Sequence, residues 1–326
     1  MQRREFCTAL AAAALPAAAA RAQADFPARP IRIITPFGTG TASDALLRAL
    51  ARKLGEQLPQ PVVVENREGA SGTIGTRAAA AAPADGHTLL FGVSPPFAVT
   101  PLLQKEAGYD PVRDFTPITR LAEVPMVLVA SRHAPFSTFK EFVAHARAHP
   151  GKLDYASAGI GVPSHLFMEQ LKQSLGLEIT FVPYKATGQM YTDVIAGQVP
   201  LAMVALGAAR PHLASGAWRA LAVGSVQRHA LLPAVPTIQE AVPGGQLSRL
   251  SIWFGLLAPR GLPQRLAARL HAEVEKAARS PEFDAVLQAQ SAELALQEPA
   301  VFGRTLQSEF AANQRLIAAL RLPAAN

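Results

Sequence analysis

Cysteine is almost absent from this 326-residue chain, whose only one is Cys7. It lies within residues 1–24, which combine a basic start at Arg3 and Arg4, a run of alanine and leucine, and small residues near the end. That pattern predicts a secretory signal peptide that is removed from the mature protein. We therefore expect no disulfide, no thiol nucleophile and no thiolate metal site, and neither a metal ion nor a cofactor.

Long apolar runs are missing as well. The run from Ala9 to Ala20 falls short of the roughly 18 residues that a membrane-spanning helix needs, and Arg21 ends it. We therefore expect the mature protein to be periplasmic. Arg3 and Arg4 followed by Phe6 suit twin-arginine export of a folded protein, although ordinary secretion fits almost as well.

Charged residues make up only 17% of the chain, with 31 Lys and Arg against 24 Asp and Glu, for a formal net charge of +7. The basic residues are scattered and aromatic residues amount to 6%, so the sequence offers neither a basic patch nor a stacking platform. Nucleic acid is therefore not an expected partner. A mild positive charge does suit small anionic molecules.

Hydrophobic residues, by contrast, make up 49% of the chain and occur in a regular order. Short apolar runs such as IRIIT and PVVVEN alternate with helix-like stretches such as ALLRALARKL, which predicts an α/β fold with parallel strands and crossover helices. Two groups of these units predict two lobes. The first comprises residues 25–121 and 226–326, and the second comprises residues 122–225. The chain would cross near FTPITRLA and again near RALAVGS.

The first strand candidate leads into the loop PFGTGTASD, residues 36–44. Thr41 and Asp44 have the spacing of a capping box at a helix start. Gly38 and Gly40 allow close approach of a ligand to the backbone, whose amides and helix dipole would bind an anion. The loop lacks the glycine-lysine pair of a phosphate loop, and the dinucleotide pattern fails at Ser43. A glycine-rich turn with no ligand is an equally good interpretation of this stretch alone.

Two further turns of the same kind follow strand candidates. Residues 155–166, YASAGIGVPSHL, carry glycines and serines before a helix that starts at Pro163, and residues 182–188 read VPYKATG. Ligands of open α/β sheets bind at the carboxyl ends of strands, so three such turns together predict one polar cleft.

At these turns the sequence resembles the substrate-binding receptors of tripartite tricarboxylate transporters, the Bug-type receptors. The similarity spans the mature chain through phrases such as QPVVVENREGASGTIG, ADGHTLLFG, YDPVRDFTPITRLA, KLDYASAGIGVPSH and VPYKATGQMYTDVIAGQV. It implies a type II periplasmic binding protein of two lobes, each a mixed, mostly parallel sheet flanked by helices, with two crossover strands as a hinge. It also implies a monomer that captures a small organic carboxylate and delivers it to membrane subunits of the transporter.

The resemblance further implies ligand-facing positions on both lobes. Those of the first lobe are Phe37, Gly38, Thr39, Gly40, Thr41 and Asp44, with Ser94 closing one side. Those of the second lobe are Ser157, Ala158, Gly159, Gly161, His165, Lys185, Thr187 and Val204. Some have plain structural alternatives, since Asp44 could serve as a cap and Lys185 could be a solvated side chain.

Several positions depart from the family pattern. The usual proline-proline-glycine-glycine run appears as residues 38–41, GTGT, and Val204 stands where an aspartate is common. Loss of that acid makes an amino-acid ligand less favourable. Pro95, Pro96 and Phe97 make one rim of the cleft more apolar, which suits an aromatic or partly apolar acid.

Two other functions stay open at this point. The adjacent Ser164 and His165 could belong to an exported hydrolase, but neighbouring residues rarely meet in a catalytic triad and no G-x-S-x-G elbow occurs. A sensory protein could keep the receptor fold and report its ligand to a signalling partner.

Overall fold

The computed structural model describes residues 26–94, 97–104, 106–243 and 250–322. The predicted signal peptide with Cys7, and the prolines of the predicted apolar rim, Pro95 and Pro96, lie outside the described residues. Strands and helices alternate along most of the chain, as the sequence predicts.

The described chain forms ten strands and eleven α-helices. The strands are β1 (Ile31–Thr35), β2 (Val62–Asn66), β3 (Thr88–Val93), β4 (Phe115–Ser131), β5 (Leu153–Ser157), β6 (Ile179–Pro183), β7 (Leu201–Ala205), β8 (Trp218–Val223), β9 (Ser251–Pro259) and β10 (Glu293–Gln297). The helices are α1 (Ala42–Gln57), α2 (Thr73–Ala80), α3 (Thr100–Leu103), α4 (Phe139–Ala148), α5 (Pro163–Leu175), α6 (Thr187–Ala196), α7 (Leu206–Ala214), α8 (Ile238–Ala241), α9 (Gln264–Ala278), α10 (Pro281–Ala289) and α11 (Pro299–Leu320). None of the helices in the described part of the chain has both the length and the apolar stretch that crossing a membrane requires.

The first lobe is built on the strand order β2-β1-β3-β9-β4, with β10 on the other side of β4. β1 pairs in parallel with β2 and β3, whereas β9 runs antiparallel to β3 and β4. Helices cover both faces of this sheet, and every residue of β3 is buried. One face packs against α1 and α9, and the other packs against α11 through Trp253 and Phe302.

The second lobe continues the same sheet in the order β4-β7-β5-β6, with β8 also paired to β4. β5 pairs in parallel with β6 and β7, and both β7 and β8 run antiparallel to β4. Two apolar cores lie on its two faces, one against α4 and α5 around Phe142, the other against α6 and α7 around Trp218.

β4 joins the two lobes. It is 17 residues long, and its first part pairs with β9 and β10 while its last part pairs with β7 and β8. The chain returns beside it at Leu250, whose carbonyl accepts a hydrogen bond of 2.8 Å from the N–H of Met126. Two antiparallel strands, β4 and the start of β9, therefore connect the lobes.

Packing also bears on the lobe boundaries. Val124 belongs to the core of the first lobe and Met126 to that of the second. Ile238 and Leu250 pack in the second core, although the predicted first lobe includes both residues. The division into lobes stays a prediction. The contacts of these residues favour lobe boundaries near residues 125 and 250 in place of 121 and 225.

Candidate functional site

The turn between β1 and α1 is held by a network around Asp44. Oδ2 of Asp44 accepts hydrogen bonds from the N–H of Gly40 at 3.1 Å and from Nε of Arg48 at 2.9 Å. Oδ1 accepts one from Nδ2 of Asn66 at 3.1 Å, and the same amide group donates to the carbonyl of Phe37 at 2.8 Å. Asp44 therefore fastens the loop to β2 through Asn66.

The predicted capping box is present in a modified form. Oγ1 of Thr41 accepts from the N–H of Asp44 at 3.2 Å, as expected for an N-cap. The Asp44 carboxylate, however, bonds to Gly40 and not to the N–H of Thr41. Thr41 also donates to the carbonyl of Gly38 at 3.0 Å, which tightens the turn further.

Asp44 is ionised within this network. Burial opposes its ionisation, but hydrogen bonds from Arg48, Asn66 and Gly40 outweigh burial and lower the pKa of the carboxyl. Because this buried carboxylate already accepts three hydrogen bonds, it stabilises the turn and is poorly placed to be a ligand contact.

The tip of the loop is open to solvent. Thr39, Gly40 and Thr41 are exposed, whereas Phe37 is half-buried against the core of the first lobe. Gly38 lies directly beside the Glu68 carboxylate, since a Cβ at Gly38 would lie 2.7 Å from Oε2 of Glu68. Glu68 belongs to the phrase ENREGASG, but no sequence signal marks it as a site residue.

The turn after β5 is held by two internal hydrogen bonds. Oγ of Ser157 and Oγ of Ser164 lie 2.7 Å apart, and the N–H of Gly161 donates to Nδ1 of His165 at 3.1 Å. Gly161 has a φ of +76°, which favours glycine. The buried side chains of Ser157 and His165 thus hold the turn in shape, and Ile160 is its exposed residue.

His165 is a neutral side chain packed in the second lobe. It is 3% exposed, and its ring lies 4.3 Å from that of Phe181, centre to centre. Burial lowers its pKa, and the charge of Glu169 opposes this effect only in part. Since Nδ1 accepts from Gly161, the ring proton belongs on Nε2. The bonds of Ser164 and His165 go to Ser157 and Gly161, an arrangement that does not activate a serine nucleophile.

The third predicted turn lies beside the second. The N–H of Tyr184 donates to the carbonyl of Ser157 at 2.9 Å, and Lys185, Ala186 and Thr187 are exposed. Val204 lies elsewhere, 3% exposed in β7 and packed in the apolar core of the second lobe. The burial of Val204 in this core therefore does not support its predicted position in the cleft.

A cavity of about 440 Å³ opens between the lobes at the carboxyl ends of β1, β3 and β5. The first lobe lines it with Phe37, Ser71, Val93, Ser94, Val99, Thr100, Leu103, Gln104 and Ile252, and the second lobe lines it with Ile160, Gly161, Val162 and Pro163. Of the predicted positions, Phe37, Ser94 and Gly161 thus line the same cavity. The other predicted positions do not line this cavity.

Most of the cavity wall is apolar, and its polar side chains are those of Ser71, Ser94, Thr100 and Gln104. α5 begins at Pro163 on the cavity wall, and because proline has no N–H, its first free amides are those of Ser164 and His165 behind that wall. Ser71 has a left-handed φ of 55° just before α2, and Gln104 accepts from Oγ1 of Thr73 at 2.9 Å. Neither Ser71 nor Gln104 could be predicted, because the position of Ser71 depends on how the loop after β2 folds and Gln104 meets Thr73 only in the folded chain.

The two lobes touch at the edge of this cavity. A Cβ at Gly161 would come within 2.4 Å of Cδ1 of Leu103. Beside this contact, Leu166 of the second lobe packs in one buried cluster with Val99 and the α11 residues Leu316 and Ile317. We call these four residues the interlobe cluster. The cleft is therefore narrow and partly closed by apolar contacts.

A larger cavity of about 1180 Å³ lies on the second lobe alone, between α4 and the segment that ends at Pro243. It contains none of the predicted turns. The cavity between the lobes is the better candidate site because it alone of the two combines both lobes with the carboxyl ends of strands.

Known proteins resemble this chain over most of its length. The profile described as "Tripartite tricarboxylate transporter family receptor" matches residues 46–322. Protein BugT of Bordetella pertussis is 37% identical over 256 residues, which cover 78% of each chain.

Two solved structures agree with these matches. The structure of R. palustris Rpa4515 with adipate is 34% identical with a TM-score of 0.70, covering 90% of this chain and 98% of the other. MatC from Rhodopseudomonas palustris with bound malate is 30% identical with a TM-score of 0.66, covering 90% and 98%. The predicted periplasmic-binding-protein fold and the resemblance to Bug-type receptors are thereby confirmed. This chain belongs to the tripartite tricarboxylate transporter receptor family.

Proposed function

We propose that this protein is a periplasmic receptor that binds a small organic carboxylate in the cavity between its lobes. Membrane subunits of a tripartite transporter would then receive the ligand. The observation that carries the proposal is the 440 Å³ cavity, whose wall combines Phe37 and Ser94 of the first lobe with Gly161 of the second. Its volume lies within the roughly 300–1,000 Å³ of small-molecule sites.

Backbone amides would bind the carboxylate. The positive end of the α5 dipole, with the free N–H groups of Ser164 and His165, favours an anion near this end of the helix. The turn after β1 contributes Phe37 to the cavity wall, while Asp44 holds that turn in place. Backbone recognition of this kind accepts many carboxylates, so side chains of the wall would decide between them.

The wall favours a ligand with an apolar part. Leu103, Ile160 and Ile252 line the cavity, and Phe37 adds an aromatic ring. A methylene chain or an aromatic ring next to the carboxylate would bury apolar surface there, which stabilises the complex by about 25 cal/mol per Å². The adipate bound to R. palustris Rpa4515 is an acid of this type. We therefore place aliphatic dicarboxylates and aromatic acids ahead of amino acids.

Closure of the lobes would convert binding into a signal for the transporter. A ligand that contacts both Phe37 and Gly161 interacts fully only with the closed state, so it shifts the population towards that state. The binding step needs no bond to be made or broken, and we propose no catalysis. The internal bonds of Ser164 and His165 support this view over hydrolysis.

Isothermal titration tests the proposal. Adipate, malate, benzoate and glutamate would be titrated into the mature protein, and we expect saturable binding of one adipate or benzoate per chain with weaker binding of glutamate. The variant Ile160→Asp, which places a negative charge on the cavity wall, should lose binding at least tenfold. The control Val301→Asp changes an exposed apolar residue at the start of α11 and should bind normally.

Two outcomes would contradict the proposal. One is the absence of binding for every carboxylate tested, together with normal folding by circular dichroism. The other is turnover of a carboxylic ester that disappears in Ser164→Ala. Co-purification with a sensor ectodomain in place of transporter subunits would leave the binding site intact but replace the proposed partner.

A further inference from the structure

Two histidines lie together at the end of α4 in the second lobe. His145 and His149 are four residues apart, a spacing that places side chains next to each other on one side of a helix. The centres of their rings are 4.4 Å apart, and the ring planes are tilted by 30°. We call them the α4 histidine pair. Neither residue lines the cavity between the lobes, so the pair is separate from the proposed carboxylate site.

A hydrogen bond orients the ring of His149. Its Nδ1 lies 3.0 Å from the carbonyl oxygen of His145. A carbonyl oxygen can only accept, so Nδ1 carries the ring proton and the free lone pair is on Nε2. Histidines that bind metal ions almost always donate from their other ring nitrogen to a carbonyl or carboxylate in this way. Because His149 is exposed, its Nε2 can be reached by an ion from solvent.

Packing positions the ring of His145. This residue is half-buried, and its ring lies 5.5 Å from that of Phe136, centre to centre. Phe136 is itself buried in a core of the second lobe. The ring nitrogens of His145 are not among the buried polar atoms that lack a partner in the described chain. His145 can therefore offer an accessible lone pair beside that of His149.

The spacing of the two rings suits two ligands of one metal ion. A metal–imidazole bond of about 2.0 Å places the ring centre roughly 3.2 Å from the ion. Two rings at a right angle then have centres roughly 4.5 Å apart, and at a tetrahedral angle roughly 5.2 Å. The observed 4.4 Å is closer to the right angle, which is typical of square-planar and tetragonal Cu²⁺ and Ni²⁺ sites. A modest rotation of the tilted rings would bring both nitrogens to one ion.

The end of a helix also favours a cation. The last carbonyls of α4 and the negative end of its dipole lie beside the histidine pair. Arg147, which stands between the two histidines in the sequence, donates to the carbonyl of Leu175 at 3.4 Å. Residues two apart on a helix do not face each other, so Arg147 lies on another side of α4.

We propose that the α4 histidine pair is a surface binding site for a divalent metal ion, with a preference for Cu²⁺. Among divalent first-row ions, Cu²⁺ forms the most stable complexes with nitrogen ligands. The described part of the chain contains no group of three or more His, Cys, Asp and Glu that could hold a metal ion, so water would complete the coordination. The sequence predicts no metal site, because two histidines four apart are usually solvated. The Nδ1 hydrogen bond and the ring spacing favour one here.

Electron paramagnetic resonance of the mature protein with Cu²⁺ tests this site, in a buffer that does not bind the ion. We expect saturable binding of one Cu²⁺ per chain, with the spin-echo modulation of two coordinated imidazoles. His145→Gln and His149→Gln should each weaken Cu²⁺ binding at least tenfold, and neither should show the modulation of two imidazoles. Circular dichroism of the two variants should match the wild type, which separates loss of a ligand from unfolding.

His133→Gln is the matched control. His133 is also an exposed histidine of the second lobe, but its Nε2 accepts a hydrogen bond from Nε of Arg132 at 3.2 Å. This variant should bind Cu²⁺ as the wild type does. Unchanged affinity in His145→Gln or His149→Gln, a single coordinated imidazole in the wild type, or no saturable binding would each overturn the proposal. None of these results depends on adipate, so failure here is distinct from failure of the carboxylate site.

Discussion

Gly161 donates a backbone hydrogen bond of 3.1 Å to Nδ1 of His165, four residues further along the chain. This bond fixes the tautomer of a buried imidazole and the shape of the turn that faces the cleft. It also links a titratable group to the site. Protonation of Nδ1 would break the bond, because a protonated nitrogen cannot accept one.

We therefore expect His165 to make the protein less stable in acid. Its pKa is lowered in the folded state, so below the ordinary value of about 6.5 the unfolded chain binds a proton that the folded chain does not. This contribution to stability is present above that pH and is lost as the pH falls towards the lowered pKa. Thermal unfolding of the wild type and His165→Gln from pH 7.5 to 5 measures it.

The glutamine oxygen keeps an acceptor for Gly161 but does not titrate, so the melting temperature of His165→Gln should depend less on pH. His149→Gln, at an exposed position, should behave as the wild type. The pKa of His229 is also lowered by burial, so some pH dependence persists in every variant. Identical profiles for His165→Gln and the wild type would contradict this role.

Asp44→Asn should destabilise the first turn. In either orientation the NH2 group of the asparagine faces donors, namely Gly40 and Arg48 at one oxygen position or Asn66 at the other, and a buried group left unsatisfied costs about 1–3 kcal/mol. Urea unfolding should show a loss of that size at neutral pH. Since the pKa of Asp44 is lowered, the difference from the wild type should shrink as the pH falls below about 4.

Asp284→Asn is the control for this measurement, because Asp284 is exposed in the first turn of α10. We expect a change of at most about 0.5 kcal/mol there. Similar losses in the two variants would show that the network around Asp44 does not hold the turn. Adipate binding should also weaken in Asp44→Asn, since Asn66 then holds the carbonyl of Phe37 less firmly.

Most strands could be predicted because apolar runs such as IRIIT are bounded by turn residues. The end of β7 and the start of α7 could not be predicted, since LAMVALGAARPHLA is apolar almost throughout and has no turn signal between the strand and the helix. β4 contains Pro117 and Pro125, yet the structure keeps one strand. Pro117 adjoins a register shift in the pairing with β9, where a missing N–H is tolerated.

For the site, too, local sequence patterns predict only part of the structure. The turns could be placed from local patterns of glycine and hydroxyl residues, and Phe37 and Gly161 do line one cavity. The hydrogen-bond partners that hold these turns could not be predicted. Asn66, for example, lies 22 residues from Asp44 and reaches it only through the β1–β2 pairing. Val204 was carried over from a family pattern, and its burial in β7 depends on the core around it.

Gly161→Ala should hinder closure of the lobes. Its Cβ would lie 2.4 Å from Cδ1 of Leu103, so the facing lobe must move or the side chain must turn. We expect adipate binding to fall at least tenfold and the double variant Gly161→Ala, Leu103→Ala to recover part of it. Isothermal titration measures both effects.

The φ of +76° at Gly161 costs any other residue about 1–2 kcal/mol of backbone strain. This strain must be distinguished from the effect of the contact with Leu103. Gly216→Ala provides this control, since Gly216 has a φ of +70° and no atom within 4 Å of a Cβ. It should lose stability and bind adipate normally. A loss of binding that Leu103→Ala does not relieve would contradict a role for the contact between the lobes.

The interlobe cluster should favour the closed state even without ligand. Leu316 of α11 is buried beside Leu166 of the second lobe, so Leu316→Ala removes apolar contact across the cleft. Small-angle scattering of the ligand-free variant should give a larger radius of gyration than the wild type, and adipate should restore the compact form. Its affinity should be lower, because the ligand must then close the lobes with less help from the cluster.

Stability separates this effect from simple unfolding. A buried leucine truncated to alanine costs about 2–5 kcal/mol when the site cannot relax, but the lobes can separate here, so we expect a smaller loss in urea unfolding. Leu294→Ala, at a partly exposed position on β10, should leave both the radius and the affinity unchanged. An unchanged radius in Leu316→Ala, with the full loss of stability, would mean that the cluster packs α11 without holding the lobes together.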